Sequence, residues 1–183
     1  MGGMVGLWGA NSLIRSVQRG TFSNADATTG TSTIVSVTPE NCVGILLGSQ
    51  SGNNGSAQSG DLAQWSLVGI TNATTVSFSR AAANGVARAC SFEIWEFNPG
   101  LIKSLQYAAI STGSSGSGTV TITAVNTSKS WLIPCGWQQQ TVSVFDNVSY
   151  ASVTLTNATT VTLARDTAAA SIVSGRVCVV EFF

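Results

Sequence analysis

The feature that most constrains this chain is that it says nearly the same thing twice. Leu13-Ile14-Arg15-Ser16-Val17-Gln18 returns as Leu101-Ile102-Lys103-Ser104-Leu105-Gln106, and Thr71-Asn72-Ala73-Thr74-Thr75-Val76 returns unchanged as residues 156–161. A duplication over 183 residues leaves each copy about the length of one small domain, so the repeat predicts two like modules. Modules this small bury a modest share of their surface, and each is expected to lean on its twin or on oligomer contacts.

The copies keep a constant offset of 88 up to Gly48 and Gly136, and an offset of 85 from Asn72 and Asn157 onward. Three residues are therefore missing from the second copy between those blocks. The natural place for them is a surface loop at Ser49 to Ser56, with a tighter counterpart at Trp137 to Gln140.

Strand patterns dominate. Residues 75–79 and 160–164 alternate apolar with small or polar side chains, the period of a half-buried strand. Residues 92–97 and 177–182 are nearly continuous in apolar and aromatic content, as in a central strand covered on both faces. Turn signals recur every eight to twelve residues, at Asn24 to Gly30, Pro39 to Asn41, Gly52 to Gly55 and Asn84-Gly85. The expected fold is all-β: two tandem, homologous small antiparallel β-sandwich or barrel-like modules of six to seven strands. Residues 1–12 form an N-terminal arm, 13–98 the first module and 99–183 the second. The joint Asn98-Pro99-Gly100 is too short for a tether, so a fixed interface between modules is expected.

Composition excludes several function classes. Charged residues make up only 9% of the chain and sum to zero, which gives no basic stripe for nucleic acid. No apolar run approaches the length of a membrane span. A hydrophobic fraction of 44% argues against disorder, and low surface charge favours an assembly that covers neutral surface. The opening residues lack a basic segment and a long apolar core, so synthesis in a host cytoplasm is expected.

No catalytic residues are assigned. Without histidine a Ser-His-Asp or Cys-His arrangement is impossible, and Asp26, Asp61, Asp146 and Asp166 share no repeated position. No phosphate loop or dinucleotide fingerprint occurs, so no cofactor is expected. Cys42, Cys90, Cys135 and Cys178 are far apart, with no C-x-x-C pair, and read as buried free thiols instead of metal ligands.

The matched charges Arg15 with Lys103, Arg80 with Arg165, and Glu96 with Glu181 read as strand-end charges that keep edges soluble or pair across neighbouring strands. Asn72 and Asn157 in N-x-T triplets, like Asn126 and Asn147 in N-x-S triplets, read as turn residues. Trp95 and Trp131 read as core or interface anchors. Met4, Leu7 and Trp8 in the glycine-rich first twelve residues are candidate subunit contacts, on an arm that docks on a neighbour or packs as an extra edge strand. Trp137 with Gln138, Gln139 and Gln140 is the candidate carbohydrate site, a ring for stacking beside amides for hydrogen bonds.

The stretches 7–22 (LWGANSLIRSVQRGTF) and 122–130 (ITAVNTSKS) resemble segments of small virion proteins of tailed bacteriophages. The resemblance implies a non-enzymatic structural protein of the virion. Its partners would be itself, as a homo-oligomer such as a trimer, and other virion proteins such as the major capsid protein. A capsid decoration or cement protein is the first expectation. The alternative is a tail fibre or adhesin component that binds host-surface carbohydrate.

Overall fold

The computed structural model describes residues 13–24, 27–49, 65–80, 88–140, 151–165 and 172–183. Before the Asn98-Pro99-Gly100 joint lie β1 (Ile14–Asn24), β2 (Thr29–Thr33), β3 (Cys42–Ser49), β4 (Ser66–Asn72), β5 (Thr75–Ser79) and β6 (Arg88–Phe97). After it come β7 (Ile102–Ser111), β8 (Ser117–Thr121), β9 (Ser130–Gln140), β10 (Ser152–Asn157), β11 (Thr160–Ala164) and β12 (Ile172–Phe182). The all-β expectation holds. Among the described residues the only helical turns are single 3-10 turns at Pro39–Asn41 and Thr127–Lys129, at matching places in the two modules.

Each module is a pair of three-stranded antiparallel sheets. The first has orders β1-β6-β3 and β2-β5-β4; the second has β7-β12-β9 and β8-β11-β10. The registers match as well: Ser16 faces Glu96 in one module and Ser104 faces Glu181 in the other. The apolar strands β6 and β12 are central in their sheets, as their composition predicts, since a central strand must be acceptable on both faces.

The two cores are built from different side chains on the same frame. In the first, Phe22 stacks on Phe78 at 4.8 Å, meets Trp65 edge-on at 4.8 Å, and Phe78 leans on Phe92 at 5.2 Å. In the second, Ile110, Leu163 and Val177 occupy the places of Phe22, Phe78 and Phe92. The backbone records the exchange. A β-carbon at Gly20 would fall 2.5 Å from the Phe92 ring, whereas the counterpart Ala108 tolerates its methyl because Val177 is smaller.

The repeated hexapeptide is explained by what it ties down. Gln18 Nε2 donates to Val35 O at 2.9 Å while Val35 N donates to Gln18 Oε1 at 2.7 Å; Gln106 grips Thr123 in the same way at 3.0 and 2.7 Å. The amide thus serves as a one-residue strand partner for the segment that leads from β2 to β3, and from β8 to β9. The tripeptide Asn-Ala-Thr is a turn in both copies. Asn72 Oδ1 accepts from Thr74 N at 2.9 Å and Asn157 Oδ1 accepts from Thr159 N at 2.9 Å, as expected for asparagine that bonds its own backbone.

Two expectations require correction. Trp137 to Gln140 do not form a loop: they are the end of β9, where Gln138, Gln139 and Gln140 face Ser174, Val173 and Ile172 of β12. Ladder bonds come from the backbone, so a polar run extends a strand wherever a partner strand is long enough to meet it. Nor do all three extra residues of the first module belong to a loop. Val68 is unopposed between Leu67, which faces Phe78, and Gly69, which faces Ser77; β10 pairs without interruption from Ser152 to Leu155. One of the three is therefore a β-bulge inside β4, a feature that sequence offsets cannot separate from a loop insertion.

Candidate functional site

The matched charges are committed to holding the fold. Glu96, 4% exposed, accepts from Arg15 Nη1 at 3.2 Å, Ser16 Oγ at 3.0 Å and Thr38 N at 3.2 Å. Glu181, 2% exposed, accepts from Lys103 Nζ at 2.9 Å, Ser104 Oγ at 3.3 Å and Asn126 N at 2.9 Å. These bonds, the lysine contact first, hold the Glu181 carboxyl below its ordinary value. Arg80 and Arg165 are also buried: their Nε atoms donate to Ala27 O at 2.8 Å and Ser115 O at 3.1 Å, and the Arg80 guanidinium lies 4.8 Å from the Trp65 ring centre. Arg15–Glu96 and Lys103–Glu181 pair across neighbouring strands as expected; the two carboxylates, Arg80 and Arg165 are interior fasteners and not edge charges, while Arg15 and Lys103 remain half-exposed. Burial is tolerable because the partners are satisfied locally.

With the repeated polar residues so engaged, the distinctive chemistry lies where the copies differ, and that is the junction. The open side of the first sandwich, between β3 and β4, sits on the outer face of the β7-β12-β9 sheet. Alternate residues of β12 divide between the cores: Val177 and Val179 pack in the second, Cys178 and Val180 in the first. Ile133 and Cys135 of β9 join the first core in the same way, so the apolar interior is continuous across the joint.

Tyr107 is the centre of this contact. Its hydroxyl accepts from Gly44 N at 3.0 Å, a donor on the side of β3 away from β6, and Cys178 stands opposite it on β12. Burial, foremost, holds the phenol well above its ordinary value. Beneath the ring the β4 bulge brings Gly69 close, with φ +149°, and a β-carbon there would fall 3.2 Å from Tyr107 Cδ2. At the other end Ser66 Oγ donates to Gly136 O at 3.1 Å. Gly136 has φ +103°, and its β-carbon would fall 2.7 Å from Trp65 O, so this position demands glycine on conformation and on space.

The counterparts in the first module show what covering a face requires. Where the second module has Tyr107 and Cys178, the first has Arg19 and Glu93, an ion pair of 2.6 Å whose arginine side chain is 62% exposed. Where the second has buried Cys135, the first has Leu47, 57% exposed. All four cysteines are buried and free, as expected. Cys42 Sγ donates to Thr38 O at 3.1 Å and thereby does the work of its counterpart Ser130, whose Oγ donates to Asn126 O at 2.7 Å. Desolvation pushes the thiols of Cys42, Cys90 and Cys135 up to about 12, and that of Cys178 further in the same direction.

The candidates drawn from sequence fall as follows. Met4, Leu7 and Trp8 lie outside the described residues. Trp137 is half-buried and packs with the second core; a β-carbon at Gly175 would lie 2.3 Å from its Cε3 atom. Gln138, Gln139 and Gln140 follow it along β9. Trp95 and Trp131 meet across the junction with ring centres 6.5 Å apart; Trp95 Nε1 donates to Glu93 Oε2 at 2.6 Å and Trp131 is 39% exposed. Sequence reasoning missed Tyr107: the repeat offset sets it against Arg19, but its partner Gly44 lies in the other module, far along the chain. Comparison of the chain with protein-family models, with curated proteins and with solved structures gives no match.

Proposed function

We propose that this chain is a non-enzymatic virion structural protein, a capsid decoration or cement protein that stabilises a phage head through protein–protein contacts. The observation that carries the reading is the junction. Two modules of one topology are welded through a shared core, so a single chain presents two related but chemically unequal surfaces in a fixed relation. That suits a protein that occupies neighbouring, similar positions on a lattice, and three such chains would present six similar modules. Support also comes from exposed apolar side chains on a weakly charged chain: Leu13, Val35, Leu47, Trp131 and Phe183 all face solvent. The arm with Met4, Leu7 and Trp8 would reach the adjoining subunit or the major capsid protein.

The test is co-purification with intact particles and a count of copies. Hundreds per particle, with association lost when residues 1–12 are deleted, is the expected result. A monodisperse monomer that ignores purified particles would overturn it. Tens of copies, with host-cell or glycan attachment lost in Trp137→Ala, would favour the tail fibre or adhesin alternative.

A further inference from the structure

We infer that the cleft beside the module junction is a binding site for a carboxylate group, held by Arg176. The cleft is open to solvent, has a volume of about 320 Å³ and is lined by Arg176 with the hydroxyl-bearing Ser79, Ser111, Thr119 and Ser174; Ser79 comes from the first module and the others from the second.

Arg176 stands apart from the other described cations that lie against the fold. Arg15, Arg19 and Lys103 pair with carboxylates, and Arg80 and Arg165 donate to backbone carbonyls. Among the described residues Arg176 has no carboxylate within ion-pair distance, although it is half-buried. Its electrostatic neighbour is the Cys135 thiol, which burial keeps protonated and which therefore offers no counter-charge.

The arginine is not part of the shared frame. The corresponding residue of the first module is Ser91, so the scaffold folds without a cation here. The backbone around it is shared: Cys135 and Gly136 together oppose Arg176 in a β-bulge between β9 and β12, and β3 has the same irregularity between Leu46 and Gly48 opposite Ser91, so only the side chain is new. Ser111 Oγ already accepts from Gly113 N at 3.1 Å, which leaves its own proton free to donate.

The chemistry selects the ligand class. A guanidinium is a planar fork that matches a carboxylate through two parallel bonds. One arginine supplies one charge, which balances a carboxylate but not a phosphate dianion. The surrounding hydroxyls suit a ligand whose body carries hydroxyl groups, as a sugar acid or a small hydroxy acid does. This site does not depend on the virion reading.

The experiment is an NMR titration of the full chain with glucuronate, acetate and glucose, followed at the Arg176 Nε–H and the Ser111 and Ser174 amides. Glucuronate should shift these signals saturably, acetate should shift the same set more weakly, and glucose should leave them in place. Arg176→Ser, which installs the residue of the first module, should keep the fold and weaken glucuronate by about tenfold or more, the usual effect of losing a charged hydrogen-bond partner. Arg176→Lys should retain part of the affinity. Glucose binding as well as glucuronate, affinity unchanged in Arg176→Ser, or no localised shift in the wild type would overturn the proposal. A free acid and a glycan-borne one are separated by repeating the titration with a methyl glucuronide, whose anomeric carbon is blocked as in a chain. Equal binding of the two points to a terminal glycan residue, and loss with the glycoside points to a free acid.

Discussion

Tyr107 of the second module caps the Gly44 amide of the first: the phenol oxygen stands 3.0 Å from a strand-edge nitrogen that would otherwise face a neighbour with no acceptor. A single hydroxyl thereby turns an open sheet edge into an interior contact. Tyr107→Phe keeps the ring against Gly69 but orphans the donor, and a buried unsatisfied N–H costs about 1–3 kcal/mol. Urea denaturation should show a loss of that size. Because the first core runs through the joint, the variant should still unfold in one transition; two separated transitions would show that the modules are not coupled as described.

Gly136 and Gly48 occupy the same place in the repeat but different surroundings. Gly136 has φ +103° and no room for a β-carbon, while a β-carbon at Gly48 meets nothing within 4 Å. Gly136→Ala should destabilise by more than about 2 kcal/mol, since strain and a clash with Trp65 O add. Gly48→Ala should fall within about 0.5 kcal/mol of the wild type, as surface substitutions usually do. Thermal denaturation of both variants checks the contrast, and equal effects would contradict the junction geometry.

Gly20 and Phe92 form a pair that the second module has already exchanged for Ala108 and Val177. Gly20→Ala alone drives a methyl to 2.5 Å from the Phe92 ring and should cost about 1–3 kcal/mol through overpacking. Phe92→Val alone should cost about 2–4 kcal/mol through the cavity it leaves. The double variant should be more stable than the sum of the two, by about 1 kcal/mol or more, because the smaller residue makes the space the methyl needs. Additive losses in a double-mutant cycle would mean that the two modules reached their packing independently.

How far the sequence could be read follows from where each feature resides. Period-two alternation in β5 and β11 and the apolar run of β12 are local, and they announced strands and their centrality directly. The hexapeptide repeat announced two modules, but its purpose depends on partners far along the chain: Gln18 grips Val35, and Arg15 holds Glu96. The bulge at Val68 was hidden because an offset counts residues without saying which lie in a ladder. Gln138 to Gln140 read as a loop in the sequence because polar side chains at a strand end carry no apolar period, yet they pair with β12. The repeat offsets already set Tyr107 against Arg19 and Arg176 against Ser91, but not what those exchanges do: Arg19 pairs with Glu93 across the sheet, Tyr107 meets Gly44 of the other module, and Arg176 lines a cleft with Ser79, all contacts far along the chain.

The buried thiols and Glu181 set opposite limits on stability with pH. Cys42, Cys90 and Cys135 are raised from an ordinary value of about 9 to about 12, so between those values the folded chain keeps protons that the unfolded chain has lost. Their contribution is complete below about 9 and fades as pH rises towards 12. Glu181 is lowered in the folded state; its contribution is present above the ordinary carboxylate range and disappears as pH falls through its depressed value. Tm should therefore decline on both sides of a broad plateau, and Glu181→Gln should lower the plateau while flattening the acid limb. Thiol reagents supply a second readout. At pH 8 none of the four cysteines should react in the native protein, since a buried, protonated thiol is a poor nucleophile, and all four should react together once urea unfolds the chain. Selective labelling of Cys135 or Cys178 under native conditions would mean that the junction opens on its own, and the shared core would then be too weak to fix the modules relative to each other.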